Sequence, residues 1–126
     1  MKKVICFGTF DRLHPGHLSF FQQAKKYGNY LIIVVARDKN VLKNKLRLPK
    51  ENEKMRLKQV KLSGLGDKVV LGGLKNQYQV IEKNLPDIIC LGYDQKVDLI
   101  ELKKRFSGKI VRLKAFRPNI YKSSKI

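Results

Sequence analysis

The chain has 126 residues, the length of one domain and enough to bury a core without disulfides or metals. Hydrophobic residues make up 43% of it, which excludes an intrinsically disordered chain. Twenty-eight Lys and Arg against ten Asp and Glu give a net charge of +18, so an anionic ligand is expected: a nucleotide, a phosphorylated metabolite, nucleic acid or an anionic membrane surface.

Lys3–Gly8 is a short apolar run and reads as a strand. Gly16–Tyr27 reads as a helix, with Leu18, Phe21 and Ala24 on one face, Phe20 and Tyr27 flanking it, and Gly28 as its C-cap. Tyr30–Ala36 is apolar throughout, as a strand covered on both faces should be. Residues 37–50 read as an irregular basic loop, with Pro49 as a breaker. Asn52 caps an expected helix to about Leu62, with Met55 and Val60 among its apolar positions. Lys68–Leu71 is a third strand, and 77–84 a helix that stops before Pro86. Asp87–Leu91 is a fourth strand. Val97–Phe106 follows as a helix with Leu99, Ile100 and Leu102 inward, then Lys109–Leu113 as a fifth strand. From Lys114 the chain is polar and basic.

Strand and helix alternate along the whole length. That pattern predicts a single α/β domain: three layers, a Rossmann-like five-stranded parallel sheet, helices on both faces. Ligands then bind beyond the carboxyl ends of the strands, where the strand order reverses. Cys6 and Cys90, the only cysteines, fall in core strands and have no metal-ligand spacing. They suit a reduced, cytoplasmic protein. No apolar stretch approaches membrane-spanning length, and no membrane partner is expected.

The basic excess is concentrated. Residues 39–61 hold nine basic and two acidic residues, and residues 103–126 nine basic and none acidic. A lysine-rich solvated surface accounts for many individual lysines as well as a ligand does.

The chemistry concentrates after the first strand, in G-T-F-D-R-L-H-P-G-H, residues 8–17. Gly8 lets the backbone approach a ligand, Pro15 stiffens the turn, and Gly16 allows close packing at the helix start. His14 and His17 lie three apart across that start, so both rings can face one spot above the helix N-terminus. Unpaired N–H groups and the helix dipole already favour an anion there. Two imidazole donors complete a phosphate site. A lone histidine in that place would read as an ordinary surface or capped core residue; the pair between a GTFD turn and a helix does not.

The stretch resembles the GTFD-x-x-H-x-G-H signature of the nucleotidylyltransferase superfamily, the HIGH-type α/β fold that includes glycerol-3-phosphate cytidylyltransferase and phosphopantetheine adenylyltransferase. Within it the chain is most similar to the archaeal-type FAD synthetases. Ala36-Arg37-Asp38 after strand two, followed by Lys43, Lys45 and Arg47, matches that group, as does Leu91-Gly92-Tyr93-Asp94-Gln95 after strand four. The Ser123-Ser124-Lys125-Ile126 ending matches it less closely. The likeness covers nearly the full length.

The resemblance implies that an acceptor phosphate oxygen attacks the α-phosphorus of a nucleoside triphosphate and pyrophosphate leaves. Positioning and charge neutralisation dominate such a step. His14 and His17 would then be the catalytic pair, with Gly8, Thr9 and the backbone near Phe10 lining the same pocket. Lys45 and Arg56 match the family's phosphate-binding basic residues, with Lys43 close by; an exposed, mobile loop explains Lys43 and Lys45 equally well. Asp11 and Asp38 would face the acceptor or the metal–phosphate region, although Asp11 also suits a turn. Asp94 suits ribose or base amino groups, Gly92 allows close approach, Gln95 suits the base, and Tyr93 suits stacking or simply covering the sheet edge. Arg117, with Ser123 and Ser124, matches the family's final phosphate-binding cluster, where Lys122 replaces a hydroxyl residue.

The expected partners are ATP or CTP and a phosphorylated acceptor, FMN foremost. Mg²⁺ is the expected metal, carried by the phosphates without a dedicated protein ligand set. Relatives are often homodimers. One alternative keeps the chemistry and takes glycerol-3-phosphate with CTP. Another, from a different class, is a basic nucleic-acid-binding module on a degenerate fold of this kind; the charge favours it, and the lack of RNA-stacking motifs opposes it.

Overall fold

A computed structural model describes residues 1–73 and 78–115. Five parallel strands form one sheet in the order β3-β2-β1-β4-β5. They are β1 (Lys3–Gly8), β2 (Tyr30–Val35), β3 (Lys68–Leu71), β4 (Ile88–Leu91) and β5 (Lys109–Arg112). Five helices connect them: α1 (Pro15–Lys25), α2 (Asp38–Lys45), α3 (Glu53–Leu62), α4 (Tyr78–Asn84) and α5 (Leu99–Arg105).

Alternation of side chains along β1 divides the core in two. Val4 and Cys6 face a cluster with Phe21 and Ala24 of α1 and Val60 of α3. Ile5 faces the opposite cluster with Val80 and Ile81 of α4 and Leu102 of α5. The three-layer arrangement is therefore the expected one. It follows from the change of direction after β3. The chain steps outward from β1 through β2 to β3, then returns across the sheet to lay β4 on the other side of β1, and right-handed crossovers send the later helices to the other face. Cys6 and Cys90 are buried register partners on β1 and β4.

Four expectations need correction. Residues 38–45 are helical, not an irregular loop. Only Val41 of that helix is buried, so it carries almost no amphipathic signal. On α5, Leu102 is buried, but Leu99 and Ile100 are 40% and 74% exposed. The helix is only two turns long and lies on the sheet along a single row. On α3, Val60 is buried, but Met55 lies on the outer face, 43% exposed. Gly28 is not a left-handed C-cap; Lys26 caps α1 in a right-handed conformation. Glycine is required at 28 because a Cβ there would lie 2.6 Å from the Lys2 carbonyl oxygen.

Candidate active site

The strand order reverses between β1 and β4, so the crevice beyond their carboxyl ends is where a sheet of this type takes its ligand. The GTFD turn and the two histidines stand on the β1 side. The Gly92–Gln95 turn stands on the β4 side.

His14 is the N-cap of α1, in an extended conformation, and Pro15 takes the first helical position. The His14 Nδ1 accepts from the Gly16 N–H at 3.1 Å, and the His17 Nδ1 accepts from the His14 N–H at 3.3 Å. Together they form a reciprocal capping box made of two imidazoles. The rings stack 3.8 Å apart at an interplanar angle of 18°. An Nδ1 that accepts carries no proton, so each neutral ring carries its proton on Nε2.

Burial, and to a lesser extent the neighbouring His14, lower the His17 pKa to about 4 against the opposing pull of Asp11. Burial also lowers the pKa of His14, against a backbone hydrogen bond that raises it. Both rings are neutral at pH 7. A neutral ring offers an N–H donor and no positive charge.

Phe10 supports this pair from below. Its ring is buried and meets His17 edge-on with centroids 5.5 Å apart, and Phe21 at 4.9 Å. Only its backbone can face a ligand. A Cβ at Gly8 would lie 2.6 Å from the Phe10 ring, so Gly8 is glycine to admit Phe10. Phe10 and Arg12 both have left-handed backbone, with φ of 53° and 51°. Bulky residues rarely adopt it, and each costs on the order of 1–3 kcal/mol. The strain falls in the turn that aims the histidines.

The basic loop divides into unequal parts. The Lys45 Nζ reaches the Thr9 hydroxyl at 3.4 Å, which brings both to the site's rim. Lys43 and Arg47 are exposed. Arg56 is fully buried and turned inward. Its Nη1 donates to the Thr9 carbonyl at 2.8 Å and its Nε to the Glu51 carbonyl at 3.0 Å. Its Nη2 pairs with the Asp38 carboxylate at 2.6 Å. This guanidinium binds protein acceptors on all three sides.

The two carboxylates expected to face the acceptor are also engaged. Asp38 accepts from the Glu53 N–H at 3.1 Å besides Arg56, while Glu53 accepts from the Asp38 N–H at 3.0 Å. Asp11 accepts from the N–H groups of Lys50 and Glu51 at 2.7 and 2.9 Å, and the Glu51 carboxylate accepts from the Arg12 N–H at 2.8 Å. Asp94 is exposed. The Gln95 Oε1 accepts from the Gly92 N–H at 3.0 Å, so that oxygen shapes its own turn. Arg117, Lys122, Ser123 and Ser124 lie outside the described residues. No cluster of three metal-ligating side chains occurs among the described residues, and no described helix is long and apolar enough to cross a membrane.

Three partners escaped sequence reasoning, Glu51, Glu53 and Arg112, and Arg37, quoted there only as part of the ARD motif, donates to the Gly72 carbonyl at 2.7 Å and pairs with Glu53. Glu51 and Glu53 did carry a signal, as the only acids in the basic run 39–61.

The sequence profile of the cytidylyltransferase-like family matches residues 5–126. The chain belongs to the cytidylyltransferase-like family. Among similar proteins, an FAD synthase of Ferroglobus placidus is 43% identical over 121 residues, covering 91% of this chain and 78% of that one. An FAD synthase of Thermoplasma acidophilum is 36% identical, covering 100% and 92%. A crystal structure from Thermoplasma volcanium, described as a lipopolysaccharide core biosynthesis protein, superposes with a TM-score of 0.84 at 36% identity, covering 92% of this chain and 98% of that one. In this cytidylyltransferase-like chain the matched span includes the double-histidine cap, the buried Arg56 and both sides of the crevice.

Proposed function

We propose that the chain is an FMN adenylyltransferase: it transfers the adenylyl group of ATP to the phosphate of FMN, producing FAD and pyrophosphate. The observation that carries the transferase chemistry is the helix N-terminus capped by two stacked, neutral histidines at the sheet's reversal point. The FAD synthases among its relatives carry the choice of acceptor.

An FMN phosphate oxygen forms the new bond to the α-phosphorus, and the bond from that phosphorus to the bridging oxygen of pyrophosphate breaks. The acceptor oxygen is already ionised, so no base need remove a proton. His14 and His17 donate through Nε2–H to phosphate oxygens, where the negative charge of the transition state gathers. The α1 N-terminus adds its dipole. Lys45 and Thr9 border the phosphates. Arg56, Asp38 and Asp11 hold the walls in place and do not touch substrate. A divalent cation fits this site as a passenger on the triphosphate, because Asp11 and Asp38 are bonded to protein partners; bound there it supplies charge neutralisation.

The test is pyrophosphate release with FMN or glycerol-3-phosphate as acceptor, each with ATP and with CTP. Turnover with FMN and ATP, and FAD as the product by chromatography, is the expected result. Turnover with glycerol-3-phosphate alone would replace the acceptor, and the relative described by lipopolysaccharide core biosynthesis is the reason to include a second one. No turnover with any pair, together with salt-sensitive RNA binding, would overturn the transferase reading.

A further inference from the structure

The β4 side of the crevice is held by a residue from the neighbouring edge strand. Arg112 ends β5 and is in register with Leu91, the last residue of β4. From there its Nη1 spans the following turn, donating to the Gly92 carbonyl at 2.7 Å and to the Gln95 carbonyl at 2.9 Å. The turn closes on itself through the Gln95 N–H to the Gly92 carbonyl at 3.1 Å, and through the Gly92 N–H to the Gln95 Oε1 at 3.0 Å. Arg112 is exposed, yet its guanidinium is fixed on two backbone acceptors. Charge-assisted bonds of this kind are the stronger class, and they offset the rotamer entropy that an exposed arginine otherwise keeps.

The turn's own geometry does not explain the glycine at 92. Gly92 does not have a left-handed backbone. A Cβ added there would meet nothing closer than Gln95 Cβ at 3.7 Å, an ordinary contact. Neither the fold nor the backbone demands glycine at 92, whereas Gly8 and Gly28 are each required by a close neighbour. Gly92 directly follows the carboxyl end of β4, and the exposed Asp94 carboxylate stands two residues on.

We propose that Arg112 is a positioning residue: by bridging the Gly92 and Gln95 carbonyls it holds the β4 turn open for the nucleoside end of the triphosphate, opposite the histidines that hold its phosphates. This rests on the proposed function only in seating the nucleotide in the β1–β4 crevice. Arg112 acts through the turn, so its loss weakens nucleotide binding and leaves the chemical step nearly intact.

The full chain is tested as Arg112→Met, which keeps the stem and removes the donors, and Arg112→Lys, which keeps a donor. Binding of a non-hydrolysable ATP analogue and of CTP is measured by calorimetry without acceptor, beside steady-state kinetics with ATP and FMN. Arg112→Met is expected to raise the analogue Kd and the ATP KM about tenfold, with kcat within about threefold and Tm unchanged; Arg112→Lys should fall between it and the parent. Gln95→Leu, which opens the same ring of bonds, should match Arg112→Met and serves if that variant fails to fold. Wild-type affinity in Arg112→Met, a loss confined to kcat, or an equal loss in the lysine and methionine variants would overturn the proposal. If the parent binds the nucleotide but does not use FMN, the acceptor assignment fails and the Kd series still judges Arg112.

Discussion

Helix caps are usually short oxygen acceptors, because Ser, Thr, Asp and Asn reach the amides of the first turn with little loss of freedom. His14 and His17 do the same work with Nδ1, and so direct Nε2–H away from the helix. In each ring Nδ1 is committed to the cap. His17→Ala should therefore reduce kcat about 10²–10³-fold, the range for loss of a donor to developing oxyanion charge. Near-parental turnover in a folded His17→Ala protein would refute the assignment. Gly8→Ala should also impair turnover, because the added methyl displaces the Phe10 ring from beneath His17. A pH effect follows from the burial of His17. Its pKa falls from the ordinary 6.5 to about 4 on folding, so between those values the unfolded chain binds more protons than the folded one. Stability then declines as pH falls through that window and levels off below it. Melting curves between those limits should show the decline, and His17→Gln should flatten it.

At the scale of elements, α2 and α3 are joined end to end. Their N-termini exchange bonds through Asp38 and Glu53, and Arg56 ties both to the Thr9 carbonyl of the β1 turn. The guanidinium has no water to replace these partners. Arg56→Met should destabilise the fold by about 3–5 kcal/mol in urea unfolding, the cost of breaking a buried ion pair from one side. Arg56→Lys should rescue little, since an ammonium cannot serve three acceptors arranged around a planar fork. Stability unchanged in both would show that Arg56 is dispensable to the fold. The same network explains what was legible in the sequence. The strands were plain, because YLIIVV and DIICL are continuous apolar runs, and the histidine cap was plain because its parts are consecutive. Helix α2 was not, since its N-terminus depends on a carboxylate 15 residues on and only Val41 marks its inner face. Arg56, Asp38 and Asp11 were legible as members of the site but not in their bonding. A residue type at a spacing says that a charge is present, and only the fold says whether it faces a ligand or another residue.

The molecule as a whole carries +18, and Lys45 brings part of that charge to the β1 side of the crevice, where it meets Thr9. A field of that sign draws polyphosphates towards the site and is screened by salt. kcat/KM for ATP should fall several-fold between about 0.01 and 0.15 M KCl, over which the Debye length shrinks from about 30 to about 8 Å. A flat profile would mean that the lysines serve solubility alone. The strand order has one more consequence, for the order in which the protein is assembled. β1, at the centre of the sheet, pairs early with β2, but its other edge waits for β4, and Lys3 meets Asp87 across 84 residues of chain. Such a distant pairing is the slow kind in folding. The histidine side of the crevice is encoded before the side that faces it, and a nucleotide touching both would act as a clasp on the last seam to close.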